Sequence, residues 1–147
     1  MASTDPYSTI TAPGEDVSTF GIALRKLDSG WLILFREQSH RGRCIVSSDK
    51  AVDDISGLTP EESAAFMADV RRVAKAMHLA FNPDKLNFGA YGDKMHHLHF
   101  HLVPKYASDP YEFGGVFAMN PGRTELTDAE CKQVGDELLA ALNKVEE

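Results

Sequence analysis

The chain has 147 residues, 43% of them hydrophobic and 25% charged, with a formal net charge of -7. That is enough for one domain, 1–147, with a buried core and an ordinary soluble composition. An acidic chain offers no general basic surface for nucleic acid, and the most obvious apolar run, WLILF at 31–35, is too short to span a bilayer, so neither nucleic acid nor membrane is an expected partner.

The opening stretch lacks a basic cluster followed by an apolar run, so it does not read as a secretory leader. Its Ser, Thr and Pro content predicts a poorly ordered start over 1–16. Cys44 and Cys131 lie in apolar patterns without CxxC spacing and read as buried thiols; a cytoplasmic location is expected.

Residues 17–27 read as a weak strand, and DSG at 28–30 as a turn. WLILF and RCIVS (43–47), separated by QSHRG, form a hairpin. Residues 58–81 carry the clearest helix. Thr59 is its N-cap, Pro60 its first residue and Glu62 the partner in a capping box. Phe66, Val70, Val73 and Met77 make its buried stripe, with His78 beside that stripe as a partly buried packing residue. KLNFGAYG (85–92) and HHLHFHLVPKY (96–106) read as two strands. Residues 107–122 form a loop in which Tyr111, Phe113 and Phe117 sit among glycines, and it is expected to cover something. The last helix, 126–147, has Thr127 and Glu130 as a capping box and a stripe of Cys131, Val134, Leu138 and Leu142, interrupted by Gly135. The fold class is α+β, a mostly antiparallel sheet with a long helix packed on one face and a C-terminal helix; the loop and last helix read as a C-terminal extension.

The second of these strands poses the chemical question. In HLHFHLV (97–103), His97, His99 and His101 share one face, and Leu98, Phe100 and Leu102 the other. Burial of the apolar set against the long helix fixes the register, which turns three imidazoles toward a pocket or solvent. Protonated imidazoles two residues apart repel, so such a row is a poor choice for stability alone. One use is metal binding by a His-x-His pair, although the third histidine lies nearly two strand rises from the first. Another is nucleophilic attack on phosphorus by a neutral imidazole whose other nitrogen is held by an acceptor. The GDK turn at 92–94 would add backbone N–H groups and Lys94 for an anion, and Asn87 an uncharged donor.

HLHFHLV resembles the His-φ-His-φ-His-φ-φ signature of the histidine-triad (HIT) family, φ being apolar, and residues 31–106 follow that family's order of elements. The resemblance implies a homodimer of joined sheets that binds a purine mononucleotide or nucleotide conjugate, with no cofactor and no metal. It implies hydrolysis or nucleotidyl transfer at the α-phosphate, with His99 as nucleophile, His101 on phosphate oxygens or the bridging atom, and His97 ordering the array. Asn87 would sit near the phosphate, and Phe35 or Arg36 near base and ribose. The chain departs from the family at Gly92-Asp93-Lys94, where many members have Gly-Gln-Ser/Thr. There Lys94 would take over phosphate contact and Asp93 would pair with it. That departure keeps open a non-catalytic nucleotide-binding module, against which the retained His99 argues; a metal-dependent hydrolase is a third reading.

Overall fold

WLILF is uninterrupted by polar residues because both of its faces are covered. In a computed structural model that describes residues 5–145, it lies inside a six-stranded sheet of order β1-β2-β3-β4-β6-β5. The strands are β1 (Asp16–Val17), β2 (Gly21–Lys26), β3 (Gly30–Phe35), β4 (Cys44–Ser48), β5 (Lys85–Gly89) and β6 (His99–Lys105), and each neighbouring pair is antiparallel. The expected strand at 17–27 is broken because Ser18 takes a left-handed conformation, φ 50°, and folds β1 back on β2.

Two helices cover one face. In α1 (Pro60–Phe81) the Thr59–Glu62 capping box forms, and Asn82 ends the helix in the left-handed conformation with its N–H on the His78 carbonyl. Phe66, Val70, Val73 and Met77 are buried as their spacing predicts. His78 is exposed rather than partly buried. Asp69, fully buried, accepts from the N–H (2.8 Å) and hydroxyl (2.5 Å) of Ser29 and pairs with Arg72. That network ties α1 to the β2–β3 turn.

The second helix, α2 (Asp128–Val145), is part of the main core and not an extension of it. Cys131, Val134, Leu138 and Leu142 share one cluster with Phe66, Val73, Met77, Leu32 and Leu102. Gly135 does not interrupt the stripe, since a Cβ there would lie 2.9 Å from Leu24 Cδ2; the absent side chain admits β2 to the helix. Glu146 and Glu147 of the expected helix lie outside the described residues.

The other face carries Trp31, Ile33, Phe35 and Ile45, packed with Tyr7 and Val17. The start of the chain therefore departs from expectation from Asp5 onward. Residues Pro6–Thr9 form a 3-10 turn capped by the Asp5 side chain, and burial of Tyr7 and Val17 holds the segment on the sheet. Residues 1–4 of the expected flexible start lie outside the described residues.

Candidate functional site

The pleat of β4 and β6 builds the site. Ile45 pairs with His101 and Ser47 with His99, so the face opposite the helices presents Ile45 and Ser47 beside His99, His101, Val103 and Lys105. Leu98, Phe100 and Leu102 face the helices, Phe100 meeting Phe66 edge-on at 5.6 Å. The alternation in the sequence is thus a division between helix packing and a second, chemically equipped layer. The histidines do not face open solvent: His97 is 2% and His99 6% exposed. His97 itself precedes the first paired residue of β6.

Their ring nitrogens have distinct partners. His99 Nδ1 lies 2.6 Å from the His97 carbonyl. A carbonyl only accepts, so the proton of a neutral ring is on Nδ1 and Nε2 keeps its lone pair. His97 Nε2 donates to the Ser48 carbonyl at 2.6 Å, and its Nδ1 meets Asp5 Oδ2 at 2.5 Å. His101 Nδ1 meets Arg43 Nη2 at 3.2 Å. The His99 and His101 rings lie 5.3 Å apart.

Burial, partly offset by the bond to the His97 carbonyl, lowers the His99 pKa. Burial, then the Arg43 cation, then His99 hold His101 down to about 3. Burial alone would raise Asp5, but hydrogen bonds from His97, Ser8 and the Tyr7 N–H outweigh it and leave the carboxyl below 3.8. The sign of the pH effect follows. Below about 6.5 the unfolded histidines take up protons that the folded ones do not, so stability is expected to fall from about pH 6.5 toward 3, at roughly 1.4 kcal/mol per pH unit for each such proton. Asp5 adds to the loss below 3.8. Urea midpoints at pH 7, 6, 5 and 4 check this; a flat profile would contradict the burial of the two rings.

Two segments enclose the histidines. From the chain start, Tyr7 stacks on His99 at 4.7 Å and 25° and lies 5.3 Å from His97. From the far side comes the loop after β6. Lys105, 5% exposed, donates to the carbonyls of Phe113 (2.8 Å) and Gly115 (2.5 Å), and buried His40 contacts the Ala118 carbonyl through Nε2 at 2.8 Å. These anchors bring Phe117 over Arg43, 5.4 Å from its ring centroid. The expectation that this aromatic loop covers something is met: it covers the guanidinium beside His101.

A cavity of about 250 Å³ opens beside the histidines, lined by Asp53, Ile55, Tyr91, His97 and His99 among others. A second groove, about 610 Å³, runs between Asn87, Phe88 and Tyr91 and the Gly114–Phe117 stretch. The remaining expected site residues divide. Asn87 pairs with Val103 and lines the second groove. Gly92, at φ +81°, holds the turn close to the nucleophile candidate: a Cβ there would lie 2.8 Å from the Met95 carbonyl and 3.9 Å from His99 Cε1. Asp93 and Lys94 are exposed, and no ion pair joins them among the described residues. Phe35 is near the histidines but serves as a floor, edge-on to His101 at 5.8 Å and 4.1 Å beneath the Arg43 guanidinium. Arg36 is not brought to the site; its guanidinium is held by Asp16 and Asp128 at the start of α2. His96 is exposed and does not line the cavity beside the histidines, though it pairs with Asp53, which does.

Sequence reasoning missed Asp5, Tyr7, Arg43, Ser47 and Lys105. For Arg43 and Ser47 a signal existed, since both fall at every second position with Ile45. Asp5 and Tyr7 had none. Among the described residues no three His, Cys, Asp or Glu side chains converge as metal ligands. No helix among them is long and apolar enough to cross a membrane.

An antiparallel sheet with two helices on one face and a strand-borne histidine row on the other defines a histidine-triad fold. Residues 32–108, over half of the chain, match the family model described as HIT domain, and the chain belongs to the HIT family. In structure it is similar to a histidine triad (HIT) protein from Sinorhizobium meliloti, with TM-score 0.78 and 21% identity over 92% of this chain and 98% of that one. It is similar to a histidine triad protein from Marinobacter aquaeolei, with TM-score 0.77 and 20% identity over 87% and 93%. A third likeness is to a hypothetical histidine triad nucleotide-binding protein from Sulfolobus tokodaii, with TM-score 0.68 and 17% identity over 86% of each chain. No curated protein matches the chain.

Proposed function

We propose that this protein hydrolyses or transfers a purine nucleotide at its α-phosphate, acting on a nucleoside phosphoramidate or dinucleoside polyphosphate through a nucleotidyl-histidine at His99. The observation that carries the reading is the His99 ring: Nδ1–H is held by the His97 carbonyl at 2.6 Å, and Nε2 has no hydrogen-bond partner among the described residues. Membership in the HIT family supports a nucleotide ligand. In the first step the Nε2 lone pair forms a bond to the α-phosphorus, and the bond from phosphorus to the leaving group breaks with its electron pair going to that group. In the second, water bonds to the phosphorus, the P–N pair returns to Nε2, and the nucleoside monophosphate leaves as the water proton is released. In this reading His101, the Gly92 turn and Asn87 border the reacting phosphate and stabilise its developing charge.

The homodimer is part of the same proposal. β5 is an edge strand, and Phe88 on it is 49% exposed, an apolar edge suited to joining two sheets. Free, buried Cys44 and Cys131 accord with the cytoplasm.

The test is to mix chelator-treated protein with substrate, quench under denaturing alkaline conditions that preserve a P–N bond, and map the adduct by mass spectrometry. A nucleotidyl mass on His99 is expected. An adduct on another histidine would move the nucleophile, and bound nucleotide with neither adduct nor turnover would favour the non-catalytic binding module.

A further inference from the structure

Arg43 is fully buried, and among the described residues no carboxylate pairs with it. Its Nη2 lies 3.2 Å from His101 Nδ1 and 3.6 Å from Met119 Sδ, and Nη1 donates to the Met119 carbonyl. Phe35 stacks on it at 4.1 Å and Phe117 lies at 5.4 Å; Nε has no partner. So enclosed, the guanidinium cannot reach a ligand, and among titratable groups it touches His101. Glu37 acts on it only through space, and a buried cation without a bonded carboxylate is costly, which makes its contact with a histidine of the row informative.

We infer that Arg43 is a positioning residue that fixes His101 as a neutral imidazole with its one proton on Nε2, and that it thereby favours leaving groups that depart as anions over amines. A guanidinium has five donors and no acceptor. The hydrogen in the 3.2 Å contact therefore belongs to Arg43, and Nδ1 of His101 must present its lone pair. A second proton on Nδ1 would set two N–H groups face to face and place a second cation beside the first.

The neighbouring rings are thus set in opposite senses. His99 carries its proton on Nδ1 and a bare Nε2; His101 carries a bare Nδ1 and Nε2–H. His101 donates a hydrogen bond but is no acid, because surrendering its Nε2 proton would leave an imidazolate that cannot be reprotonated through Nδ1. An amine leaving phosphorus must gain a proton as the P–N bond breaks. A phosphate leaving from a P–O–P anhydride keeps the electron pair on oxygen as a stable anion and needs only the hydrogen bond. The leaving-group half of the inference rests on the reaction proposed above; the tautomer half does not.

The test uses the full chain labelled with ¹⁵N. Long-range ¹H–¹⁵N correlation at neutral pH is expected to find His101 in the Nε2–H form. In Arg43→Met, of similar length and apolar, that preference is lost; in Arg43→Lys, which keeps a cationic donor, it is retained. Kinetics with a diadenosine polyphosphate and an adenosine phosphoramidate of an alkyl amine should show wild type favouring the anhydride. Arg43→Met should shift the ratio of kcat/KM toward the phosphoramidate by about tenfold or more, since a His101 whose Nδ1 no longer faces a donor can pass its Nε2 proton to the amine and regain one at Nδ1. Arg43→Lys should hold the wild-type ratio.

A His101 found protonated on Nδ1 at neutral pH in wild type would overturn the inference. So would an Arg43→Met protein with unchanged tautomer and both substrates slowed equally, which is what a packing role alone predicts. If Arg43→Met does not fold, the wild-type spectrum and Arg43→Lys decide. Turnover of neither substrate by wild type would remove the proposed reaction and the leaving-group half with it, while the spectra still decide the tautomer.

Discussion

A His99→Asn protein is expected to fold and bind nucleotide while its turnover falls by about 10⁶-fold, the scale seen when a catalytic nucleophile is removed. Asparagine keeps an amide N–H within reach of the position where His99 Nδ1 meets the His97 carbonyl, but it has no lone pair able to attack phosphorus. Loss of the Tyr7 stack costs about 1 kcal/mol beyond the lost area, well short of unfolding an ordinary domain. The informative comparison is between kcat and Kd measured on the same preparation. A collapse of kcat at near-constant Kd identifies a group that acts in the chemical step alone. Turnover that survives would assign the attack to another residue, and loss of binding together with turnover would mean that His99 serves the ground state.

Tyr7→Ala is expected to lower stability by about 3 kcal/mol and kcat by roughly tenfold. Tyr7 is 6% exposed and packs on Phe20 at 5.8 Å as well as on both histidines. Its position looks at first like an obstruction of the nucleophile. The lone pair of Nε2, however, lies in the imidazole plane, and a ring stacked at 25° covers the face while leaving the edge free. Tyr7 therefore holds the His99 ring at one angle and keeps water from it, a contribution to orientation and not to binding. Tyr7→Phe retains the ring and should retain both stability and rate. Chemical denaturation and kcat for the two variants check the claim. A rise in turnover on Tyr7→Ala would show the opposite arrangement, a cover that must lift before substrate enters.

Much of the scaffold was legible because it depends on local chemistry. The capping boxes at Thr59–Glu62 and Thr127–Glu130 form as their spacing predicts, since they join groups three residues apart. The period-two pattern of 98–102 assigned Leu98, Phe100 and Leu102 to the helical layer because a pleated strand has only two faces. The aromatic loop was marked as a cover by its composition, though what it covers was not.

What escaped depends on contacts between segments remote in the chain. Asp5 meets His97 across 92 positions and Arg43 meets His101 across 58; no periodicity encodes such pairs. The opening segment reads as polar and loose, yet Tyr7 and Val17 find an apolar sheet face that becomes visible only when the strands are assembled. By itself the sequence determined the α+β class, the capped starts of both helices and the histidine row, because each follows from local chemistry and side-chain direction along a regular backbone. Only the tertiary structure bears on which nitrogen of His99 and of His101 holds its proton. A tautomer is set by the acceptor or donor that packing brings to the ring, and here those are a backbone carbonyl for His99 and a buried guanidinium for His101.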